Sequence, residues 1–209
     1  MRTRMKSLAF VLIASLLVII FAAGAVEVQS STVPLCFIQN DGQLDEQALY
    51  FVDAPGFSLY LTGTGEVLYP VDAESPVVVT YDGSNPGFQV TGEEQLTGTA
   101  NFFIGNDAEH WVTDVPTYAS VRIPDLYDGI SLLYSVGSGT LKREFIVDPG
   151  AAPGDIMMVY SGQESLSLDE SGAIVIGTSD GVLFETAPVC YQVIDGIQTS
   201  VPCGYAVSG

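Results

Sequence analysis

The sequence predicts an all-β fold: an antiparallel, β-sandwich-like, multi-stranded domain behind an N-terminal signal or anchor helix. Three observations carry that prediction. From Leu35 onward, short runs rich in β-branched and aromatic residues alternate with turn residues, at the spacing of a sandwich or barrel. After residue 25 no stretch sustains a 3.6-residue apolar period, so helix is confined to single turns at Gln43–Gln47 and Asp107–Trp111. Ser171-Gly172, Asp180-Gly181 and Asp195-Gly196 punctuate the last third of the chain and mark a meander of hairpins.

At the amino terminus, Arg2, Arg4 and Lys6 precede an apolar run from Leu8 to Ala23 relieved only by Ser15, followed by Gly24-Ala25. Basic residues, an apolar stretch and small residues in that order form a secretory signal pattern, with cleavage expected after Ala25. The run is shorter than the ~20 residues that span a bilayer comfortably. Val26 extends it, so an uncleaved anchor is the alternative, and it would be the chain's one contact with membrane. The expected organisation is a leader at 1–25 and one β-rich domain at 26–209, outside the cell or at its surface.

Beyond the leader, three basic side chains face 25 acidic ones. Such a field repels nucleic acid and keeps copies of the protein apart. With 47% apolar residues, ten tyrosines and ten phenylalanines, the chain has enough apolar area to offset its conformational entropy, which excludes disorder.

The expected strands, in order, are Leu35–Gln39, Ala48–Asp53, Phe57–Thr62, Glu66–Val71, Val77–Asp82, Asn101–Ile104, Tyr118–Arg122, Ile130–Val136, Thr140–Asp148, Asp155–Tyr160, Ser165–Leu168, Ala173–Thr178, Val182–Glu185, Val189–Ile194 and Gln198–Val207. Alternation assigns their faces: Phe57, Leu59 and Leu61 share one side of their strand. In Thr140–Asp148, Arg143 shares the side of Leu141, Phe145 and Val147, so either a bulge rotates it out or it pairs with a carboxylate. The stretch from Asn101 to Tyr134 concentrates aromatic anchors and turn residues, with Trp111 expected in the core.

Cys190 and Cys203 lie on either side of the Asp195-Gly196 turn and are expected to form a disulfide worth ~3 kcal/mol. A two-residue turn sets Cys190 opposite Val201, so the bridge requires a longer loop or a bulge. Cys36 then remains free, as a small buried hydrophobe.

No catalytic, metal or cofactor site is predicted. His110 is the one histidine and has no second imidazole for zinc, and no serine or cysteine nucleophile signature accompanies it. The carboxylate pairs Glu93-Glu94, Asp41 with Asp45 and Glu46, and Asp125 with Asp128 read as solvated loop charge. Calcium ligands are conceivable at Asn106-Asp107-Ala108-Glu109 and Asp82-Gly83-Ser84-Asn85, but neither follows the twelve-residue calcium-loop pattern. Trp111, Tyr118, Tyr127 and Tyr134 read first as core or cross-strand aromatics and second as a sugar-stacking platform.

The motif residues occur in a fixed order: Asn40, Gly42 and Gln43 in Phe37–Gln43; Asn101, Phe103, Gly105 and Asn106 in Asn101–Asp107; then Trp111, Tyr118, Tyr127, Gly129, and Phe145 to Pro149-Gly150, ending with Ala187–Gln192. Jointly they resemble the uncharacterised β-rich domain that precedes SBBP-type β-propeller repeats in secreted bacterial and archaeal surface proteins. The resemblance spans nearly all of residues 35–206. Ser131 departs from the aspartate usual in that family, and Arg143 from a frequent aromatic. The family pattern continues past the position of Gly209, so the resemblance implies that the last strands are missing and a sheet edge is open. It further implies a non-catalytic extracellular module without a cofactor. Its partners would be other cell-surface proteins or surface polysaccharide; a polysaccharide- or calcium-binding module is the alternative, and a glycoside-active enzyme the third.

Overall fold

The computed structural model describes residues 35–70, 75–137 and 139–208, together with the backbone course of residues 9–18. Sixteen strands form one antiparallel sheet: β1 (Ala9–Val18), β2 (Phe37–Gln39), β3 (Ala48–Ala54), β4 (Phe57–Thr62), β5 (Gly65–Pro70), β6 (Val77–Tyr81), β7 (Thr91–Phe102), β8 (Val112–Tyr127), β9 (Ile130–Gly137), β10 (Thr140–Val147), β11 (Met158–Ser161), β12 (Ser165–Leu168), β13 (Ile174–Thr178), β14 (Gly181–Glu185), β15 (Val189–Ile194) and β16 (Ile197–Val201). The ladder runs β11-β6-β5-β4-β3-β2-β8-β9-β10-β1-β14-β13-β12, with β7 branching from β8 and the β15–β16 hairpin from β1. The all-β class is therefore as predicted. Among the described residues no helix is long and apolar enough to cross a membrane.

The facing layers come from one sheet that curls until its ends meet. Val77 on β6, near one end, packs with Ile174, Ile176 and Leu183 on β13 and β14, near the other. Between them lies the main core, in which Phe37, Leu59, Leu61, Ile123, Leu132 and Phe145 are all but inaccessible to solvent. Alternation assigned two of these faces as observed: β4 buries Phe57, Leu59 and Leu61, and β10 buries Leu141, Phe145 and Val147, with Arg143 turned inward among them.

Four expectations need correction. The apolar run assigned to a signal or anchor helix is a strand where it is described, at Ala9–Val18, because a wholly apolar run has no period of its own and here two strands offer it ladder bonds. The rest of the leader lies outside the described residues. Of the strand expected at Asn101–Ile104, Asn101-Phe102 form the end of β7, whose first ten residues are mostly exposed, with Leu96 and Ala100 as isolated apolar positions, and so carry no apolar alternation. β8 extends far beyond Tyr118–Arg122 because irregular positions absorb its two prolines: Asp114 (φ 60°) lies close to Pro116, and the register shifts between Ile123 and Tyr127, where Pro124 and Asp125 (φ 47°) stand. Finally, Gln43–Gln47 forms no helical turn, whereas Ala108–His110 is a single 3₁₀ turn capped by Asp107.

Candidate functional site

The deepest polar constellation is built around Arg143. Its strand orientation sends it inward, and a buried guanidinium needs partners. Glu66, which shares the inner face of β5 with Leu68, accepts a hydrogen bond from Nη2 at 2.8 Å. Glu185, on the inner face of β14 with Leu183, accepts one from Nη1 at 2.5 Å. All three residues are at most 8% exposed.

Tyrosine hydroxyls complete the shell. Tyr81 donates to Glu66 and lies 2.6 Å from the Tyr134 hydroxyl. Tyr160 donates to Glu185 Oε2 at 2.8 Å, and Tyr205 to Glu185 Oε1 at 3.0 Å. Met158 Sδ accepts from Nη1 at 3.2 Å. The cluster thus joins β5, β6, β9, β10, β11, β14 and the segment after β16, clasping the curled sheet from inside.

Its electrostatics favour one charge state. Burial works against the Arg143 charge, but the adjacent carboxylates of Glu185 and Glu66 outweigh it, and the guanidinium pKa is pushed up. Burial, then the neighbouring glutamate charge, drives the hydroxyls of Tyr81, Tyr134 and Tyr160 well above the ordinary tyrosine range. Each carboxylate oxygen of Glu66 and Glu185 accepts a hydrogen bond from arginine or tyrosine. The arrangement holds charge in place and presents no unengaged base to a substrate.

Two surface features lie elsewhere. A shallow groove of about 470 Å³ is lined by Leu44, Asp45, Gln47, Tyr60, Thr62 and Tyr69. Tyr60 and Tyr69 meet edge to face at 5.6 Å. At the tip of the β7–β8 ribbon, Phe103 (63% exposed) meets Trp111 (41% exposed) edge to face at 5.1 Å. Trp111 is therefore not a core residue: the ribbon pairs outward from the sheet and carries it away from the interior.

The profile of a domain family of unknown function, DUF7948, matches residues 37–209. The chain belongs to the DUF7948 family. Comparison with curated proteins and with solved structures yields no match.

Within the DUF7948 domain most of the motif residues named in the sequence stand at turns or packing contacts. Asn40 accepts from the amides of Gly42 and Leu44 at 3.1 Å and donates to the carbonyls of Asp45 (2.8 Å) and Ala48 (2.7 Å). Gln43 closes the same loop, accepting from the Asp41 amide and donating to the Gln39 carbonyl. Asn101 accepts from the Asp114 amide at 2.9 Å, holding the irregular start of β8. Gly105 (φ 77°) turns the ribbon tip beside exposed Asn106, and its carbonyl accepts from the Trp111 indole at 3.4 Å. Tyr118 packs on Tyr50 and donates to Gln39 at 3.1 Å, while the buried Tyr127 donates to the Met157 carbonyl. A Cβ on Gly129 would stand 3.1 Å from Ala151, whose amide closes the Pro149-Gly150 turn onto Asp148. Phe145 meets Tyr81 edge to face at 6.2 Å.

Cys190 and Cys203 form the expected disulfide, with Cα atoms 6.0 Å apart. The route differs from the expectation. β15 and β16 keep the tight two-residue turn with Cys190 opposite Val201, the ladder stops there, and the bridge is made from Cys203, two residues beyond the end of β16. Cys36 is a free, half-buried thiol whose pKa burial pushes up.

The carboxylates paired in sequence have other duties. Glu93 bonds Arg122 at 2.7 Å across β7 and β8. Asp107 caps the 3₁₀ turn and meets exposed His110 at 3.0 Å, and Asn85 donates to the Asp125 carbonyl and to Asp128. Among the described residues no three His, Cys, Asp or Glu side chains gather as metal ligands. Glu66 and Glu185, the two carboxylates that do converge, were not singled out in the sequence. The two-residue alternation that exposed Arg143 also places Glu66 beside Leu68 and Glu185 beside Leu183.

Proposed function

We propose that this DUF7948 domain is a non-catalytic structural or interaction module of an exported protein, of the kind that precedes SBBP-type repeats at bacterial and archaeal cell surfaces. One observation carries the reading: the converging carboxylates, Glu66 and Glu185, spend all their oxygens on Arg143 and tyrosine hydroxyls inside the protein. A glycosidase needs one such group as acid and the other as base or nucleophile, both reaching the substrate. The basic-then-apolar leader, the Cys190–Cys203 bridge and the acidic surface support an extracytoplasmic setting.

The test is expression of the full chain in a secreting bacterial host, with the amino terminus read by mass spectrometry. The expected product lies outside the cytoplasm, begins at Val26 and has Cys190 joined to Cys203. A chain that stays in the cytoplasm with both thiols reduced refutes export. Glycoside hydrolysis abolished by Glu66→Gln refutes the non-catalytic role.

A second reading, binding of a surface polysaccharide, is favoured by the groove carrying Tyr60 and Tyr69 beside Asp45 and Gln47. Aromatic faces next to hydrogen-bonding side chains suit sugar rings. Titration with a panel of oligosaccharides checks it: shifts of the Tyr69 ring signals that vanish in Tyr69→Ala support the reading, and silence across the panel refutes it.

A further inference from the structure

The motif residues Asn40 and Gln43 fix one side of the groove that carries Tyr60 and Tyr69. The loop from Asp41 to Gln47 has neither strand nor helix, yet the Asn40 side chain bonds the backbone at Gly42, Leu44, Asp45 and Ala48, and Gln43 ties the loop to Gln39. Leu44, Asp45 and Gln47 are thereby held at the groove. The aromatic side is equally set. Tyr60 on β4 lies nearly parallel to the buried Phe51 at 6.1 Å, and Tyr69 on β5 meets Tyr60 edge to face at 5.6 Å. A site whose sides are fixed before a ligand arrives loses little entropy on binding. Its volume of about 470 Å³ lies within the ~300–1,000 Å³ of small-molecule sites.

Charge narrows what can enter. Asp45 is exposed and spends Oδ1 on the Gln47 backbone amide at 2.9 Å. Asp41 and Glu46, both exposed, stand on the same loop. Asp53 lies near Tyr60, whose hydroxyl pKa is pushed up first by burial and then by that charge. Among the described residues no cation lines the groove: Arg122 bonds Glu93, Arg143 is buried between Glu66 and Glu185, His110 meets Asp107, and Lys142 stands on β10. A carboxylated or sulfated sugar meets repulsion there with nothing to offset it. An ammonium group is drawn both to the Asp45 carboxylate and to the electron-rich ring faces.

We propose that the groove selects glycans with free amines, seating a protonated amino sugar with its ammonium on Asp45 and its apolar face on Tyr69. The Thr62 hydroxyl already donates to the Gly65 carbonyl, so the exposed Gln47 side chain is the donor that meets the ring hydroxyls. This inference rests on the reading of the groove as a sugar site and adds which sugars it takes.

The full chain is titrated at physiological ionic strength and about pH 6, where an amine is protonated, while the Tyr69 ring signals are followed by NMR. The probes are a glucosamine trimer, its N-acetylated counterpart, a galacturonate trimer and trilysine; trimers keep multivalent attraction to the acidic surface small. The glucosamine trimer is expected to bind about tenfold or more tightly than the N-acetylated one, and the galacturonate trimer not to bind. Asp45→Asn retains the acceptor for the Gln47 backbone amide and should erase the preference, whereas Glu170→Gln, in the turn between β12 and β13, should leave it intact. Tyr69→Ala should abolish binding of both sugars. Equal affinity for the N-acetylated or galacturonate trimer overturns selection by charge and leaves the sugar reading standing, while silence of every sugar overturns both. Trilysine bound as tightly as the glucosamine trimer, or Glu170→Gln as damaging as Asp45→Asn, shows attraction to charge alone and overturns the amino-sugar site.

Discussion

Replacing Arg143 with methionine keeps an apolar stem of similar length and removes the one cation between two buried carboxylates. Glu66 and Glu185 are each 2% exposed, so water cannot take over from the guanidinium. Breaking a buried pair in this way costs ~3–5 kcal/mol, a large share of the ~5–15 kcal/mol that holds a typical domain folded. For a domain of this size that corresponds to a melting temperature lower by roughly 6–20 °C. The adjacent Lys142→Met is the control: Lys142 is exposed, and its loss should stay within about 0.5 kcal/mol. Combining Arg143→Met with Glu66→Gln and Glu185→Gln removes the uncompensated charges and should restore at least half of the loss. Thermal and urea unfolding followed by far-ultraviolet circular dichroism reads all three. An Arg143→Met variant as stable as Lys142→Met would refute the clasp, as would a triple variant no better than the single one.

Other consequences follow from the same geometry. The tyrosines of the cluster have raised pKa values, so their contribution is complete below the unfolded tyrosine value of ~10 and is lost as pH climbs above it; a pH titration of tyrosinate absorbance should show Tyr81, Tyr134 and Tyr160 ionising only as circular dichroism reports unfolding. Gly162 has φ 88°, and a Cβ there would sit 2.3 Å from the Pro76 carbonyl oxygen, so Gly162→Ala should destabilise by ~1–3 kcal/mol or more in urea unfolding. Reducing the Cys190–Cys203 bridge should remove ~3 kcal/mol, with hydrogen exchange rising first in β15 and β16. Burial pushes the Cys36 thiol up, so iodoacetamide at about pH 8 should label it more slowly in the native protein than in urea, as read by mass.

Much of the fold was legible because its strands obey two-residue alternation. Phe57, Leu59 and Leu61 announce their buried face in sequence, and Arg143 announces its need for a partner. What escaped lacks that signal. The first ten residues of β7 are mostly exposed, with no run of apolar residues, and are held by ladder bonds to β8 rather than by burial. Pro116 and Pro124 look like strand breaks until the irregular backbone at Asp114 and Asp125 is seen to absorb them. The identity of Arg143's partners was beyond local patterning, because Glu66 lies on β5 and Glu185 on β14, and only the curl of the sheet brings them together. Trp111 was misplaced for the complementary reason: an apolar aromatic suggests a core, but the ribbon carries it outward onto Phe103.

The most direct measurement is the nitrogen-15 NMR spectrum of the Arg143 guanidinium in the full chain, assigned by its loss in Arg143→Met. Separate, slowly exchanging Nη protons, with scalar couplings across their hydrogen bonds to the Glu66 and Glu185 carboxylates, are the expected result. A single averaged signal exchanging at the rate of a solvated arginine would contradict the account.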